Sequence, residues 1–404
     1  MRKFYYEARD QSSDKIVKSI VQAESEHSAA KVLLEQGFTP LDIKAAGDDR
    51  SFLSRFTGRV TTKDRIVFLR QLATLIGAGL PLAQSLRTVS EQTENKKLQE
   101  IVQEVLADVE GGRSLSSAFG KHPEVFDKIV LALVEAGEAS GTLDGALKKV
   151  ATQKEKDAAM MSKIRGAMVY PAIVLGVIVA VMLFMLLTVV PQVEQLYDDM
   201  NKQLPFLTMI MITAADFLIS YWWLVLALLG IGGYFLNQYL MTDAGIKTKD
   251  TIKLNVPLFK GMFRKLYMAR FTRTGQTLLS TGVAMLDMLR ISSESVNNTI
   301  VAGSIDRAAE KVKGGKALSN SLQAEDYILV MVPQMIKIGE QSGKIDEMMG
   351  KTAQVYEDEL DEEIKALTTT IEPVLMILMA VFAGGMVAAI LFPIYSLVGS
   401  NGVG

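Results

Sequence analysis

Residues 163–193 read KIRGAMVYPAIVLGVIVAVMLFMLLTVVPQV, a stretch that passes from two cationic side chains directly into apolar sequence. No charged residue occurs from Gly166 to Val193, and this length exceeds the roughly 20 apolar residues that a helix needs to cross a ~30 Å hydrocarbon core. The alternative is a buried helix of a soluble protein, but such helices rarely extend past about 18 residues without a charge. The stretch therefore predicts a transmembrane helix.

Two further stretches have the same character, and one of them repeats the first. Residues 365–393 read KALTTTIEPVLMILMAVFAGGMVAAILFP, and no charge occurs from Pro373 to the end of the chain. The third stretch, from Phe217 to Thr242, is equally free of charge. Together they predict a polytopic membrane protein with three spans. Acidic and basic residues inside a span mark the pathways of transporters and channels, and these spans contain none, so a transporter or channel component is the weaker alternative.

Basic residues around the spans predict their direction, because lysine and arginine are retained on the cytoplasmic side. Lys163 and Arg165 precede the first span, and between the first two spans four acidic residues face only Lys202. Eight basic residues follow the second span: Lys247, Lys249, Lys253, Lys260, Arg264, Lys265, Arg270 and Arg273. This basic stretch also suits attraction to lipid headgroups or docking of a partner. The amino terminus has no apolar stretch of a secretory signal, so we expect it in the cytoplasm and the carboxyl terminus outside.

The chain also repeats itself. Displacing the sequence by 203 positions pairs Phe68 with Phe271, Gly79 with Gly282, and residues 111–112 with 314–315. One residue is then lost, and at a displacement of 202 the pairs are Gly137 and Gly339, Glu138 and Glu340, Gly141 and Gly343, Lys163 and Lys365, Pro171 and Pro373, and Pro191 and Pro393. Agreement at so many glycines and prolines predicts two copies of one structural unit.

Apolar spacing and helix-breaking residues in the first copy predict an all-α unit. A helix that contains Phe68 and Leu72 is expected to end at Gly79, and Pro81 to open the next helix. The remaining signals predict a helix over 95–110, a short helix capped by Ser114, a helix opened by Pro123 and ended by Gly137, and one continuous helix from Leu143 to about residue 190.

Composition argues against several functional classes. The 43 basic and 45 acidic residues leave a net charge of -2, so no overall excess draws the chain to nucleic acid. The chain has no cysteine and only two histidines, His27 and His122, which stand apart from other metal ligands and are expected to be surface or capping residues. Neither glycine pair is followed by the Gly-Lys-Ser/Thr of a phosphate-binding loop. No catalytic residue or cofactor is predicted, which disfavours a membrane-bound enzyme.

An acidic run before the third span is the strongest cluster of charge. It consists of Glu357, Asp358, Glu359, Asp361, Glu362 and Glu363, and Glu155 and Asp157 occupy the matching register of the first copy. Like charges four residues apart destabilise an isolated helix by a few tenths of a kcal/mol per pair, so a neighbouring cation is expected. A solvated helix face is the simplest interpretation. A basic partner surface, or a divalent ion held by Glu155, Asp157, Glu357 or Glu359, stays open as an alternative.

Four sets of residues resemble the type II secretion F-domain family, the platform proteins of type IV pilus, secretion and competence machines. Phe4-x-Tyr6-x-Ala8-x-Asp10 and Gly37-Phe38-Thr39-Pro40 are similar to the small module that opens many members. Residues 68–82, FLRQLATLIGAGLPL, are similar to the start of the family's first cytosolic domain. The two Gly-Glu-x-Ser-Gly turns match its repeated turn, and the run from Lys163 through Tyr170-Pro171 to Pro191 matches the start of its membrane span.

The second copy departs from the family pattern at two places. Glu372 stands before Pro373 where the first copy has Tyr170, and Thr281-Gly282-Val283-Ala284 replaces the Gly-Leu-Pro-Leu form. The second turn is therefore expected to lack a proline-initiated helix.

The resemblance implies an all-α polytopic membrane protein with two homologous cytosolic helical bundles, three transmembrane helices and a small α+β N-terminal module. The expected divisions are the N-terminal module 1–46, a linker 47–62, the first F domain 63–165, the first span 166–193, an external loop 194–216, the second span 217–242, a basic cytosolic linker 243–261, the second F domain 262–370, the third span 371–396 and an external tail 397–404.

The resemblance also implies a function in the inner membrane. Such a platform would couple a hexameric assembly or retraction ATPase to the extraction of pilin or pseudopilin subunits. Other inner-membrane assembly proteins, membrane lipid and further copies of the chain would be its partners, and nucleic acid would not. Because the sequence has no phosphate-binding motif, the energy is expected to come from the ATPase. Pilus assembly, secretion and DNA uptake are equally open at this point.

Overall fold

The first 45 residues contain a three-stranded antiparallel sheet. In the computed structural model, residues 2–10, 16–23, 28, 30, 38–45, 59–189, 191, 192, 195 and 206–400 are described. The strands are β1 (Arg2–Asp10), β2 (Ile16–Ala23) and β3 (Phe38–Ala45), and they lie in the order β2-β1-β3. The helical part expected of an α+β module falls on the intervening residues 24–37, which lie outside the described residues except for 28 and 30.

Contacts divide the chain into two units, residues 1–65 with 90–103 and residues 66–89 with 104–404. In the first unit, the side-chain amide of Asn95 donates to the carboxylate of Asp64 at 2.8 Å. Asp64 also forms a reciprocal cap with Thr61, because each side chain accepts from the backbone N–H of the other, at 2.9 and 3.2 Å. This cap fixes the start of the helix that follows.

The first repeat is a series of short helices that leads into one long helix. Its elements are α1 (Thr62–Gly77), α2 (Leu82–Gln92), α3 (Lys96–Glu110), α4 (Leu115–Gly120), α5 (Lys128–Ser140) and α6 (Leu143–Phe184), which continues as a π-helix over Met185–Val189. Within the second unit, Phe68, Phe119 and Phe126 are buried together, and the rings of Phe119 and Phe126 stack with centroids 3.9 Å apart. This aromatic cluster is the centre of the repeat's core.

The second repeat follows the same order of helices. The remaining elements are α7 (Phe206–Leu240), α8 (Asp243–Asn255), α9 (Pro257–Leu279), α10 (Met285–Ser295), α11 (Thr299–Lys313), α12 (Leu318–Gln323), α13 (Met331–Ser342) and α14 (Ile345–Ser400). Helices α9 to α14 correspond to α1 to α6, which confirms the prediction of a repeated all-α unit. The three phenylalanine positions of the first core are occupied in the second repeat by Phe271, Leu322 and Ile328, respectively. Two of the three aromatic rings are thus replaced by aliphatic side chains.

Matching glycines end matching helices. Gly141 and Gly343 have φ values of 70° and 71°, in the left-handed region that residues with a Cβ rarely adopt. Gly79 and Gly282, at 86° and 84°, do the same after α1 and α9. Pro81 lies directly before α2, whereas α10 begins at Met285 after Ala284. The second turn therefore forms without a proline, as expected.

One helix of the first repeat differs from its prediction at both ends. Helix α5 begins at Lys128 rather than at Pro123, because the carboxylate of Asp127 accepts from the N–H of Val130 at 3.2 Å and caps the helix there. Gly137 does not end α5, which continues to Ser140. The stop signal is Gly141, the residue that adopts the left-handed conformation.

The segments on either side of the second span, expected to be an external loop and a linker, are partly helical. Residues 243–261, expected to be a linker, form α8 and the first turn of α9, which Pro257 opens. Thr242 caps α8 by accepting from the N–H of Gly245 at 3.2 Å. On the other side, α7 begins at Phe206, inside the segment expected to be a loop, and its backbone leaves helical geometry at Tyr221. Helices α8 and α9 begin at local signals, Thr242 and Pro257, that the apolar pattern does not contain.

Three helices are long and apolar enough to cross a membrane. They lie within Leu143–Val189, Ile219–Leu240 and Ile345–Ala388, and the apolar windows have mean hydropathies of 3.0, 1.7 and 2.1. Only 6%, 0% and 6% of these windows are buried inside the protein. Apolar surface of this extent is stable against lipid and not against water, so the three predicted spans are confirmed. Pro171 and Pro373 lie inside α6 and α14 without ending either helix.

Candidate functional site

The candidate functional site is the surface along which the two repeats meet. Helices α5 and α6 of the first repeat face α9, α10 and α14 of the second. Three lysines of the first repeat bind carboxylates of the second: Lys128 binds Glu294 at 2.7 Å, Lys156 binds Glu357 at 3.3 Å and Lys163 binds Asp361 at 2.6 Å. Cations from the first repeat thus neutralise part of the acidic run on α14.

Part of the remaining charge of the acidic positions is met within each repeat. Arg70 donates through Nε to Glu155 at 2.8 Å, and Arg273 donates through Nε to Glu357 at 2.7 Å. Lys265 binds Glu359 at 3.2 Å. The expected neighbouring cations are therefore arginine and lysine side chains. Within the described ranges, no group of three or more potential metal ligands among histidine and the acidic residues is placed to hold an ion.

The two arginine–glutamate pairs are equivalent in the repeat but differ in burial. The side chains of Arg70 and Glu155 are 36% and 41% exposed, whereas those of Arg273 and Glu357 are 12% and 14% exposed. Glu357 also receives Lys156 from the other repeat. This carboxylate therefore links α9, α14 and α6, while Glu155 serves only its own repeat.

A polar strip lies beneath these ion pairs, formed by Gln153 and Asp157 of α6 with Arg270 and Thr277 of α9. The hydroxyl of Thr277 donates to the amide oxygen of the buried Gln153 at 3.3 Å. Burial raises the pKa of the Asp157 carboxyl above its usual value, and the positive charge of Arg270 opposes this rise only in part. Sliding one repeat along the other would break the hydrogen bond between Thr277 and Gln153, so this contact favours one register of the repeats.

The glutamate of each Gly-Glu-x-Ser-Gly turn caps a short helix that precedes it in sequence. Glu138 accepts from the N–H groups of Leu115 and Ser116 at 2.5 and 3.0 Å, and from the hydroxyl of Ser116 at 2.6 Å. In the second repeat, Glu340 accepts from the N–H groups of Leu318 and Ser319 at 2.7 and 3.3 Å. A carboxylate at a helix N-terminus satisfies donors that lack partners within the helix. Sequence reasoning missed this contact, although the Leu-Ser pair recurs in both copies.

The glycine of the same turn lets two helices approach closely. A Cβ on Gly137 would lie 2.5 Å from the Cβ of Ala146, and a Cβ on Gly339 would lie 2.7 Å from the Cα of Ile345. Real Cβ atoms are not found at such distances from other carbon atoms. Glycine is therefore required where α5 crosses the start of α6, and where α13 crosses the start of α14.

The acidic member of one side-chain pair changes place between the repeats. In the first, Glu104 lies 3.4 Å from the Nε2 atom of His122, whose side chain is only 12% exposed. Both histidines were expected to be surface or capping residues, and the side chain of His122 is instead largely covered. His27 lies outside the described residues. At the equivalent positions of the second repeat, Arg307 donates to Glu325 at 2.9 Å. Burial tends to raise the pKa of Glu325, but Arg307 and Lys311 outweigh it and lower that pKa.

Equivalent residues at the start of the first and third membrane spans differ in identity and in their contacts. Tyr170 is exposed on α6 just before Pro171, and Glu372 is exposed at the equivalent position before Pro373. Lys163 binds Asp361, whereas Lys365 uses its backbone carbonyl to accept from Thr369. Pro191 follows the π-helix of the first span, and Pro393 lies within α14.

Comparison with known families identifies both repeats and the amino-terminal segment. Residues 68–191 and 271–393 each match the family model of type II secretion system protein F. The chain belongs to the type II secretion system protein F family. Residues 1–44 match the N-terminal domain of the same family. The two F domains coincide with the two repeats, so the resemblance inferred from the sequence is confirmed.

Relatives of this F-family protein carry both pilus and secretion names. It is 37% identical over 408 residues to the type IV pilus assembly protein PilC of Thermus thermophilus, covering 99% of each chain. It is 34% identical to PilC of Pseudomonas aeruginosa, covering 90% of this chain and 97% of the relative. It is also 32% identical to the type II secretion system protein F of Xanthomonas campestris, covering 95% of each chain.

Proposed function

We propose that this F-family protein is the inner-membrane platform subunit of a type IV pilus or type II secretion machine, and that it couples a hexameric cytosolic ATPase to the extraction of pilin or pseudopilin subunits. The observation that carries the proposal is the continuity between each repeat and the membrane. Helix α14 runs without interruption from Ile345 in the second repeat to Ser400 beyond the third span. A force on the repeat therefore reaches the membrane through a continuous hydrogen-bonded helix.

The contacts between the repeats support a concerted response. Lys156 and Lys163 of α6 bind Glu357 and Asp361 of α14. These ion pairs join the two helices just before each continues into its membrane span. The sequence has no phosphate-binding loop, so an ATPase partner supplies the energy in this proposal. Pilin subunits, other inner-membrane assembly proteins and further copies of the chain complete the expected set of partners.

Interrupting α14 between the repeat and the membrane tests this coupling. Four glycines inserted after Thr369 would break the helix, because each glycine is about 1 kcal/mol less favourable than alanine in a helix interior. We expect surface pili or secreted substrate to fall at least about tenfold, while the protein still accumulates in the membrane and is captured by the ATPase. The measurement is the sheared pilin or secreted protein per cell, with platform abundance determined in parallel.

The same insertion after Asp49, in the segment expected to be a linker, is the matched control and should leave assembly close to that of the unaltered protein. Assembly at the normal level with glycines after Thr369 would show that α14 does not carry the coupling. If the variant with glycines after Thr369 no longer captured the ATPase, the defect would lie in ATPase docking. That result would contradict the proposal that docking and transmission through α14 are separate steps.

We propose the orientation that the basic residues favour, with the amino terminus and both repeats in the cytoplasm. Single cysteines are introduced readily, since the chain has none. In intact cells, a membrane-impermeant thiol reagent should label Asn201→Cys strongly and Lys260→Cys at least about tenfold less, because only the first position faces outward. Disrupting the cells should make both positions reactive. Strong labelling at position 260 with none at position 201 in intact cells would reverse the orientation.

A further inference from the structure

The end of the second span and helix α8 form a tight corner. Helix α7 ends at Leu240, and the hydroxyl of Tyr239, in its last turn, lies 3.4 Å from the hydroxyl of Thr248 on α8. A Cβ on Gly245 would lie 1.9 Å from the carbonyl oxygen of Tyr239. The start of α8 therefore packs against the last turn of α7, next to the end of the span.

The exposed face of α8 carries positive charge without partners. Lys247 and Lys249 are exposed and flank Thr248, and neither forms an ion pair with any residue of the described ranges. Lys253, by contrast, is partly covered and lies 3.6 Å from Asp250. Each basic residue close to an anionic membrane surface contributes attraction that falls off within about 10 Å. The position of the two exposed lysines therefore suits anionic lipid.

A cleft of about 510 Å³ opens between α8 and α11 beside Lys247. Ile246, Ile300 and Gly303 form apolar parts of its wall, and Tyr327 and Arg307 also line it. Asp243 and Thr299 complete the lining. An apolar wall with a cation at its edge fits an amphipathic ligand, and the volume lies in the range of small-molecule sites.

Lys247 is the group in this cleft that is available to an anion. Arg307 is already bound to Glu325, and Asp243 adds negative charge. The N–H groups at the start of α11 are also taken, because Asn298 accepts from Ile300 and Val301 while Asp250 accepts from Thr299 at 2.9 Å. The helix end therefore offers no anion site, and an anion in the cleft would be held by the lysine side chain.

We propose that the cleft between α8 and α11 binds one anionic phospholipid of the adjacent leaflet. The phosphate faces Lys247, and the glycerol and upper acyl carbons lie along Ile246 and Ile300. Because Asp250 joins α8 to the start of α11 through both the N–H and the hydroxyl of Thr299, the bound lipid braces the second repeat against the membrane. This inference is independent of the proposed function, since it concerns lipid binding by the isolated protein.

Native mass spectrometry of the full-length protein, delipidated in a neutral detergent, tests the proposal. Titration with phosphatidylglycerol should give one tight adduct, and phosphatidylcholine with the same acyl chains should bind at least about fivefold more weakly. Lys247→Gln should weaken the phosphatidylglycerol adduct about fivefold, which corresponds to one basic contact at a membrane surface. Lys247→Arg should retain it. Lys316→Gln removes an exposed lysine elsewhere in the second repeat and should change nothing.

Equal binding of the two lipids, or an unchanged adduct in Lys247→Gln, would overturn the proposal. Glycerol phosphate is added in a separate arm to distinguish a lipid site from a simple anion site. We expect millimolar glycerol phosphate to leave the lipid adduct in place, because it lacks the apolar part. Displacement by glycerol phosphate as effective as that by phosphatidylglycerol would show that the cleft recognises the phosphate alone, and would overturn the assignment to lipid.

Discussion

Gly137→Ala is expected to destabilise the first repeat by about 3 kcal/mol, the upper part of the range for overpacking a closely packed site. The added methyl group would lie 2.5 Å from the Cβ of Ala146 and 3.2 Å from the Cα of Leu143, so α5 and α6 must separate. Gly339→Ala should have a similar effect in the second repeat, since its nearest atoms are the Cα and backbone N of Ile345, at 2.7 and 3.1 Å. Thermal unfolding of the full-length protein in detergent should show a transition lowered by roughly 10 °C in each variant.

The matched control is Gly145→Ala, eight residues further along on α6. No heavy atom lies within 4 Å of the position of its added Cβ, so only the helix preference of alanine acts there. The control should raise stability by about 0.5–1 kcal/mol. If Gly137→Ala and Gly145→Ala behaved alike, the close crossing of α5 and α6 would be wrong.

Glu357→Gln is expected to destabilise the protein by about 2–3 kcal/mol, much more than its counterpart Glu155→Gln, for which we expect less than about 1 kcal/mol. The first change leaves the largely buried guanidinium of Arg273 and the amine of Lys156 without a negative partner. In the second, Glu155 and Arg70 are exposed enough for water to solvate the charge that remains. The two substitutions have the same chemistry at equivalent positions of the repeat, so each is the control of the other.

Unfolding transitions of both variants at low and high salt provide the measurement. The loss from Glu357→Gln should persist at high salt, because partly buried pairs are screened weakly, whereas the small effect of Glu155→Gln should vanish. Equal losses in the two variants would mean that contact between the repeats adds nothing at Glu357.

The sequence predicted those parts of the fold that depend on local signals. Absence of charge located the three spans, and Gly79, Gly141 and their counterparts marked helix ends because their backbone conformation excludes most other residues. The same local reasoning chose the wrong start for α5, because Pro123 and Asp127 are both acceptable there and only Asp127 caps the helix. The helical structure of α8 within the expected linker was not predicted, since its charged residues conceal a short buried side that includes Asp250 and Leu254.

Contacts between residues distant in sequence account for what the sequence did not reveal at the candidate site. Glu138 was recognised as part of a repeated turn, but its partners on Leu115 and Ser116 come from another helix. The acidic run on α14 was expected to need cations, and nothing local indicated that Lys156 and Lys163 of the other repeat would supply them. Burial of His122 likewise depends on tertiary packing, which a single isolated histidine does not report.

The reversed charges at equivalent positions of the two repeats bear on symmetry. Glu104 is 69% exposed in the first repeat, and Arg307, at the same place in the second, is 59% exposed. A rotationally symmetric ring presents the same surface in every sector, so a sector that attracts one of these side chains repels the other. The two repeats therefore differ in charge at this place, where the first presents the carboxylate of Glu104 and the second a guanidinium paired with Glu325. A partner built of identical subunits would therefore meet different charges on the first and the second repeat at this place.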